Sequence, residues 1–148
     1  MPGKNIRMLA GKPLIGWAIQ VAKQVNQISR VIVSTDSEEI ARIAKEQGAE
    51  VPFIRPSVLA EDNSPEWLVW RHALDYLADD GREDLGGLVV IPPTSPLRSS
   101  QDIEKCINEY EGKEVDVVIT VSEAHRNPYF NMVTVDNQGS AELVISPK

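Results

Sequence analysis

The sequence predicts an α/β fold in which a mainly parallel sheet is covered by helices on both faces. Short apolar runs typical of buried strands alternate with helical stripes, at the spacing of strand–helix–strand units. The 148 residues contain no low-complexity segment, internal repeat or dividing linker, so we expect a single domain over residues 1–148.

Apolar runs of four to seven residues, or shorter runs with β-branched side chains, mark the candidate strands. We interpret these runs as strands at residues 31–33, 51–54, 88–91 and 115–121, with weaker candidates in the tail at 129–135 and 143–145.

Two helices are predicted in the first third of the chain. An apolar stripe of helical period covers residues 14–25 and follows Pro13, a residue suited to a helix start. Asp36 with Glu39 three residues later predicts a capping box for the second helix, and Gly48 is expected to end it.

Two further helices follow. The third opens at residues 64–66, and four of its residues are expected to point inward, namely Trp67, Trp70, Leu74 and Leu77. The fourth starts at Ser99 or Ser100 and includes residues 103–110. Cys106 shares an apolar face of this helix, so we expect it to be a small core residue.

Composition narrows the class of protein. The net charge of −7 disfavours general binding to nucleic acid or to an anionic membrane. One cysteine excludes an internal disulfide or a cysteine-based zinc site, which fits a reducing cytoplasm. No apolar run is long enough to predict a transmembrane helix or a secretory signal.

The first residues are typical of a phosphate-binding loop that leads to a helix, and no predicted strand precedes them. A parallel sheet without a central strand would expose a long edge. We therefore expect the chain to be a fragment, or a partner to supply the missing strands.

The most informative motif is PTSPLR at residues 93–98, between a predicted strand and a predicted helix. Ligands of open α/β sheets bind at this edge, and the prolines would hold Thr94 and Ser95 in one shape, with Arg98 beside them. The alternative is a stiff connection that ends in a helix cap.

The first loop offers a second candidate site. Gly3 allows close approach of the backbone to an anion, Lys4 supplies a charge, and Asn5 can donate and accept hydrogen bonds. The alternative is a solvated turn, and the spacing of a Walker motif is absent.

Arg55 follows a predicted strand and could bind a phosphate, a carboxylate or a base edge. Its alternative is a surface ion pair with Glu61 or Asp62. The hydroxyl of Ser64 either caps the third helix or meets a ligand.

His125 and Tyr129 lie in a polar segment that follows the predicted strand ending at residue 121. This segment is either a ligand contact or a plain polar loop. We find neither a Ser-His-Asp pattern nor a carboxylate pair that demands glycosidase chemistry.

Taken in order, these segments resemble the acylneuraminate cytidylyltransferases, which make CMP-activated sialic acids. The resemblance covers most of the chain. The matching segments are residues 2–5, 11–15, 33–36, 48–49, 51–53, 55–56 and 59–60, then Asp62, Ser64, 93–98, His125 and 128–129.

The resemblance implies a Rossmann-like fold of the nucleotide-diphospho-sugar transferase type. It also implies a reaction in which a nonulosonic (2-keto-3-deoxy) sugar acid attacks the α-phosphate of CTP. CMP-sugar and pyrophosphate would form with the help of Mg2+. A homodimer is implied for the full-length protein.

The resemblance also implies roles for individual residues. Those assigned to the nucleotide are Lys4, Asn5, Arg55, Asp62 and Ser64. Those assigned to the sugar acid are Thr94, Ser95, Arg98, His125 and Tyr129.

Four departures from the family pattern stand out. The family's glycine- and arginine-rich start and its C-terminal part with the metal-binding aspartates are absent, so the metal ligands are not expected in this chain. Pro92 replaces a glutamine, and Glu66 replaces a hydroxyl residue. We therefore expect little or no turnover by this chain alone. The alternatives are another sugar nucleotidyltransferase and a catalytically inactive nucleotide-binding fragment.

Overall fold

The computed structural model describes residues 3–79, 85–121, 126, 128–129 and 132–145. The chain divides into two compact units, Met1–Val118 and Ile119–Lys148, and each is described by itself.

The chain begins with a short 3-10 helix, Lys4–Ile6, and a small antiparallel hairpin of β1 (Met8–Leu9) and β2 (Lys12–Pro13). The two residues that connect the strands, Ala10 and Gly11, have φ angles of 48° and 81°. Positive φ at both positions is what a tight two-residue hairpin requires. The sequence pattern did not predict this hairpin, because each strand has only two residues.

Helix α1 (Leu14–Lys23) confirms the first predicted helix and buries the expected stripe. It packs on α2 (Glu38–Glu46), which has few large apolar side chains but places two alanines against its neighbour. The buried cluster at this contact consists of Ile15, Ile19, Ala44 and Ala49. Small residues on α2 let the two elements approach closely, and Val31, Val33 and Val51 pack against this cluster.

The start of α2 corrects one prediction. Ser37, not Asp36, is the N-cap, and its hydroxyl accepts a hydrogen bond from Ile40 N–H at 3.3 Å. Serine is as good a cap as aspartate, and moving the cap by one residue releases the Asp36 carboxylate. The predicted end is confirmed, since Gly48 adopts a φ of +87° just beyond the helix.

The first two predicted strands lie side by side and run parallel. A parallel bridge joins Ile32 to Glu50, and Val33 N–H donates to the carbonyl of Glu50 at 2.9 Å. Further along, Arg55 N–H donates to the carbonyl of Thr35 at 2.8 Å. The two segments therefore end at the same edge, as in a parallel sheet.

The wider parallel sheet is not confirmed. Residues 88–91 and 115–121, predicted as strands, form no strand ladder in the described part of the chain. Leu88 is 48% exposed and Val117 is 70% exposed. An apolar run needs a hydrogen-bonded neighbour as well as its own β propensity to become a strand, and here that neighbour is not among the described residues.

The loop predicted after Arg55 contains a second 3-10 helix, Ser57–Ala60, and leads to α3 (Glu66–Asp79). Leu77 is buried as predicted, but Trp67 and Trp70 are 53% and 37% exposed, so their inward orientation was wrong. The helix instead turns a different face, with His72 and Tyr76, toward Phe53.

Helix α4 (Ser100–Glu111) confirms the predicted start, because Ser99 forms a full capping box with Asp102. Ile103 is buried on its inner face, and Cys106 is only partly buried. The helix contacts α1, which brings the end of the PTSPLR segment beside that helix.

The second unit contains an antiparallel pair, β3 (Val133–Val135) and β4 (Ala141–Leu143). The Asp136 carboxylate accepts hydrogen bonds from the N–H groups of Gln138 and Ser140 and so closes the turn between them. The tail strands are therefore confirmed, with shifted boundaries. Among the described residues, no helix combines the length and apolar character that a membrane crossing requires.

Candidate nucleotide site

A cation sits where the two parallel segments end. Arg55 follows the second segment, and its Nη2 lies 3.5 Å from Asp36 Oδ1, which follows the first. The Arg55 side chain is 19% exposed, so it is held in a partly desolvated position. The predicted alternative, an ion pair of Arg55, is therefore present, but its partner is Asp36 and not Glu61 or Asp62.

Three buried side-chain atoms of residues considered for this site lack a hydrogen bond within the described residues. They are Asn5 Oδ1, Ser34 Oγ and Arg55 Nε. Buried polar atoms are almost always hydrogen-bonded to protein, water or a ligand. One of these atoms is an acceptor, one is a hydroxyl and one is a charged donor, so together they match a ligand that carries both donors and acceptors.

The Asp36 loop is held by its own backbone. Thr35 is 4% exposed, and its hydroxyl oxygen accepts a hydrogen bond from Ser37 N–H at 3.2 Å. The loop between the first segment and α2 is thus fixed on both sides of Asp36, which keeps the carboxylate directed at Arg55.

The 3-10 helix that carries Lys4 and Asn5 contacts both α1 and α2. Gly3 precedes it with a φ of 64°, which explains why glycine is needed at this position. Lys4 is exposed and Asn5 is half-buried. The predicted loop is thus anchored on the two helices that flank the Asp36 segment.

Ser64 has a structural partner. Its hydroxyl donates to the carbonyl of Val58 at 2.5 Å, and its backbone N–H donates to the carbonyl of Glu61 at 3.0 Å. The side chain therefore closes the loop before α3 through Val58. Asp62 is exposed in the same loop. Because the Ser64 proton is used, only the oxygen lone pairs are open to a ligand.

The PTSPLR segment forms a turn beside α1. Thr94 and Ser95 are exposed, and Arg98 N–H donates to the carbonyl of Ser95 at 3.4 Å. An open cavity of about 410 Å³ lies between this turn and α1. Its lining residues are Trp17, Gln20, Val21, Gln24 and residues 96–101.

Arg98 is close to the cap of α4 without being part of it. The pKa of Asp102 is lowered mainly by the backbone N–H of Ser99, then by the Ser99 hydroxyl, with smaller contributions from Lys105 and Arg98. Within the described part of the chain, the Arg98 guanidinium makes no hydrogen bond or ion pair. The structure thus confirms the capping alternative for Ser99 and leaves Arg98 open to an anion.

Two further residues were predicted to contact the substrate. His125 lies outside the described residues, and Tyr129 belongs to the second unit, where it is 46% exposed. Pro92 and Glu66, the two departures from the expected pattern, are both exposed.

A protein-only metal site is not found among the described residues, which contain no group of three or more His, Cys, Asp or Glu side chains.

Sequence reasoning missed two members of the site. Asp36 was assigned to a cap although it could face the sheet edge, and Ser34 was noted only as part of the matching segment 33–36. Both belong to a polar triplet, residues 34–36, directly after an apolar run. The position of this triplet at a strand end, the same argument that identified Arg55, was the available signal.

Comparison with known proteins gives the family. Residues 1–144 match the family model described as cytidylyltransferase. The chain is 37% identical over 134 residues to post-translational flagellin modification protein B of Campylobacter coli, covering 90% of this chain and 57% of that protein. It is 36% identical over 144 residues to CMP-N,N'-diacetyllegionaminic acid synthase of Legionella pneumophila, covering 95% of this chain and 59% of that one.

A third relative is N-acylneuraminate cytidylyltransferase of Escherichia coli, 33% identical over 124 residues that cover 83% of this chain and 28% of the relative. The chain thus spans less than two-thirds of the length of each of these curated relatives. The family model matches nearly every residue of the chain, and the relatives are more than 30% identical to it. The chain therefore belongs to the cytidylyltransferase family.

Proposed function

We propose that the chain is the nucleotide-binding part of an enzyme that activates a nonulosonic sugar acid with CTP. The anomeric hydroxyl oxygen of the sugar acid would bond to the α-phosphorus, and the bond to pyrophosphate would break. The hydroxyl proton is released, and the products are CMP-sugar and pyrophosphate. The family and the names of the relatives support this reaction.

The observation that carries the proposal is the end of the two parallel segments. There the Nε of the partly buried cation Arg55 lacks a hydrogen bond within the described residues, and so does the Oγ of Ser34. Asn5 Oδ1, in the first 3-10 helix, also lacks a hydrogen bond within that part of the chain. A nucleotide presents phosphate and base acceptors together with ribose and amino donors, which matches this mixture. We assign Lys4 and Asn5 to the phosphates or ribose, and Arg55 to the cytidine end.

Ser64 and Asp62 complete the cytidine end in this proposal. Since the Ser64 hydroxyl donates to Val58, its remaining capacity is to accept. The exocyclic amino group of cytosine is a donor, whereas uracil has a carbonyl at that position. Ser64 therefore favours cytosine over uracil. Asp62, which is exposed in the same loop, is likewise a hydrogen-bond acceptor.

The sugar acid is assigned to the side of the PTSPLR turn. Arg98, whose guanidinium has no ion-pair partner within the described residues, supplies a charge-assisted donor for the carboxylate. The exposed hydroxyls of Thr94 and Ser95 can exchange hydrogen bonds with sugar hydroxyls. His125 and Tyr129 remain assigned to this substrate by the family resemblance.

Other properties of the full-length protein follow from the same assignment. Mg2+ would accompany the triphosphate and neutralise charge on the reacting phosphate. The need for CTP favours a cytoplasmic location, and a homodimer is proposed from the resemblance. Neither nucleic acid nor a membrane is proposed as a partner, because the chain carries a net charge of −7.

The test is a nucleotide panel. Calorimetry with CTP, UTP and GTP in the presence of Mg2+ should show binding of CTP in preference to the other two. Pyrophosphate release should then be measured with CTP and a set of 2-keto-3-deoxy sugar acids, N-acetylneuraminic acid among them. Equal affinity for all three nucleotides would favour another sugar nucleotidyltransferase, and CTP binding without turnover would favour a binding fragment. No CTP binding would contradict the proposal.

A further inference from the structure

An aromatic cluster connects α3 to the segment that ends in Arg55. The ring of Phe53 lies with its centroid 4.9 Å from the ring of His72, at an interplanar angle of 78°. It lies at the same centroid distance, 4.9 Å, from the ring of Tyr76, at 56°. Edge-on and tilted pairs at this distance are the favoured aromatic geometries, so the helix holds Phe53 on two sides.

A hydrogen bond fixes the backbone at the neighbouring residue. Tyr76 Oη donates to the carbonyl of Pro52 at 3.0 Å. His72 and Tyr76 are one helical turn apart on α3. One face of the helix therefore contacts two consecutive residues, Pro52 and Phe53.

Pro52 and Phe53, the two residues that α3 contacts, lie just before Arg55. Arg55 itself is attached to the first parallel segment by its N–H bond to Thr35, at 2.8 Å, and by its contact with Asp36. The segment is therefore held by α3 immediately upstream of Arg55 and by the neighbouring segment at Arg55. A displacement of Pro52 would be transmitted through two intervening residues to the guanidinium.

We propose that Tyr76 is a positioning residue for nucleotide binding: it sets the position of Arg55 through Pro52 and Phe53, without touching the nucleotide. In this proposal Tyr76 affects the affinity for CTP and not only the stability of the fold. The inference rests on the proposed function, because it takes Arg55 as a nucleotide contact.

The experiment compares four versions of the chain by calorimetry with CTP and Mg2+. They are the unmodified chain, Tyr76→Phe, Arg55→Ala and the double variant. Tyr76→Phe keeps the ring against Phe53 and removes only the hydroxyl. We expect it to weaken CTP binding by less than Arg55→Ala does, because it acts only by displacing the guanidinium, and to have no further effect in the Arg55→Ala background.

Tyr110→Phe is the matched control, since Tyr110 lies on α4, is 39% exposed and has no place in the cluster. It should leave the CTP affinity unchanged. Thermal unfolding of each variant separates binding from folding. Tyr76→Phe should also shift the backbone amide resonance of Arg55, and Tyr110→Phe should not, a readout that does not require ligand.

The outcomes are distinguishable. Unchanged CTP affinity in Tyr76→Phe, with a loss in Arg55→Ala, overturns the positioning role alone. An equal loss of CTP affinity from Tyr76→Phe in the unmodified chain and in the Arg55→Ala variant also overturns it, because Tyr76 would then act independently of Arg55. No loss in Arg55→Ala overturns the nucleotide role of Arg55 itself, and the positioning role with it.

Discussion

The guanidinium of Arg55 and the carboxylate of Asp36 face each other across the ends of two parallel segments, 3.5 Å apart. The pair joins residues that are far apart in sequence but follow strand-like segments of the same direction. The pair holds the guanidinium in place. It leaves Arg55 Nε without a hydrogen bond within the described residues, so one donor of the guanidinium is unused there. This combination suits a preorganised contact for an anion or a base.

The first prediction concerns the strength of this pair. Asp36→Asn and Arg55→Ala, singly and together, form a double-mutant cycle for the free energy of unfolding in urea. Since the Asp36 side chain is 43% exposed, solvent screens the pair, and we expect a coupling of about 0.2–1 kcal/mol. A coupling of zero would mean that the two side chains do not interact in solution.

The second prediction concerns base choice. Ser64→Ala removes the acceptor that we assign to the cytosine amino group, along with the bond to Val58. CTP binding should weaken by about 0.5–1.5 kcal/mol, and the preference for CTP over UTP should fall. Calorimetry with both nucleotides measures this, with Ser57→Ala in the second 3-10 helix as the control. An equal change for CTP and UTP would assign Ser64 to loop structure only.

The third prediction separates the two substrates. Arg98→Ala should weaken binding of N-acetylneuraminic acid by about 1–3 kcal/mol, because a charge-assisted hydrogen bond to the carboxylate is lost. The CTP affinity should stay within about twofold, a difference of less than about 0.5 kcal/mol.

Arg42→Ala is the control for Arg98, since Arg42 lies on α2 in an exposed ion pair with Glu46. It should alter neither affinity. If Arg98→Ala weakens both substrates equally, Arg98 has a folding role instead of a substrate role.

The fourth prediction concerns the cap of α4, the helix that follows the PTSPLR turn. Ser99→Ala should cost about 0.5–2 kcal/mol of stability, because it removes the acceptor for Asp102 N–H. Ser100→Ala, one residue further on and inside the helix, is the control and should be nearly neutral.

The same cap predicts a pH dependence. The pKa of Asp102 is lowered, chiefly by the Ser99 backbone N–H, so the folded state binds the proton less well than the unfolded state. The carboxylate's stabilisation is therefore fully present above the unfolded pKa of about 3.9 and is lost as the pH falls through the lower folded value. The stability gap between the unmodified chain and Asp102→Asn should narrow below about pH 4. A gap that is constant down to pH 2.5 would contradict the capping role of the carboxylate.

Local signals predicted the parts of the fold that local interactions determine. The stripe on α1, the stop at Gly48 and the start of α4 at Ser99 all depend on residues within one or two turns of each other. The cap of α2 was misplaced by one residue, because Asp36 and Ser37 are equally good caps and only the pairing of Asp36 with Arg55 decides between them.

Features that depend on distant partners were harder to predict. Residues 115–121 have strand-like composition, but no ladder forms there within the described residues, and composition does not reveal whether a neighbour is present. Trp67 was placed inward from periodicity alone, whereas the contact of Phe53 with α3 selects another face. For the site, the strand-end argument found Arg55 but not its ion-pair partner.

The central claim is that Asn5, Ser34 and Arg55 form one nucleotide-binding surface. The most direct measurement is a titration of the isotope-labelled chain with CTP and Mg2+, followed through the backbone amide resonances. The largest chemical-shift changes should fall on Asn5, Ser34 and Arg55 and on their immediate neighbours. Changes confined to other segments, such as the exposed face of α3 near Trp67, would contradict the claim.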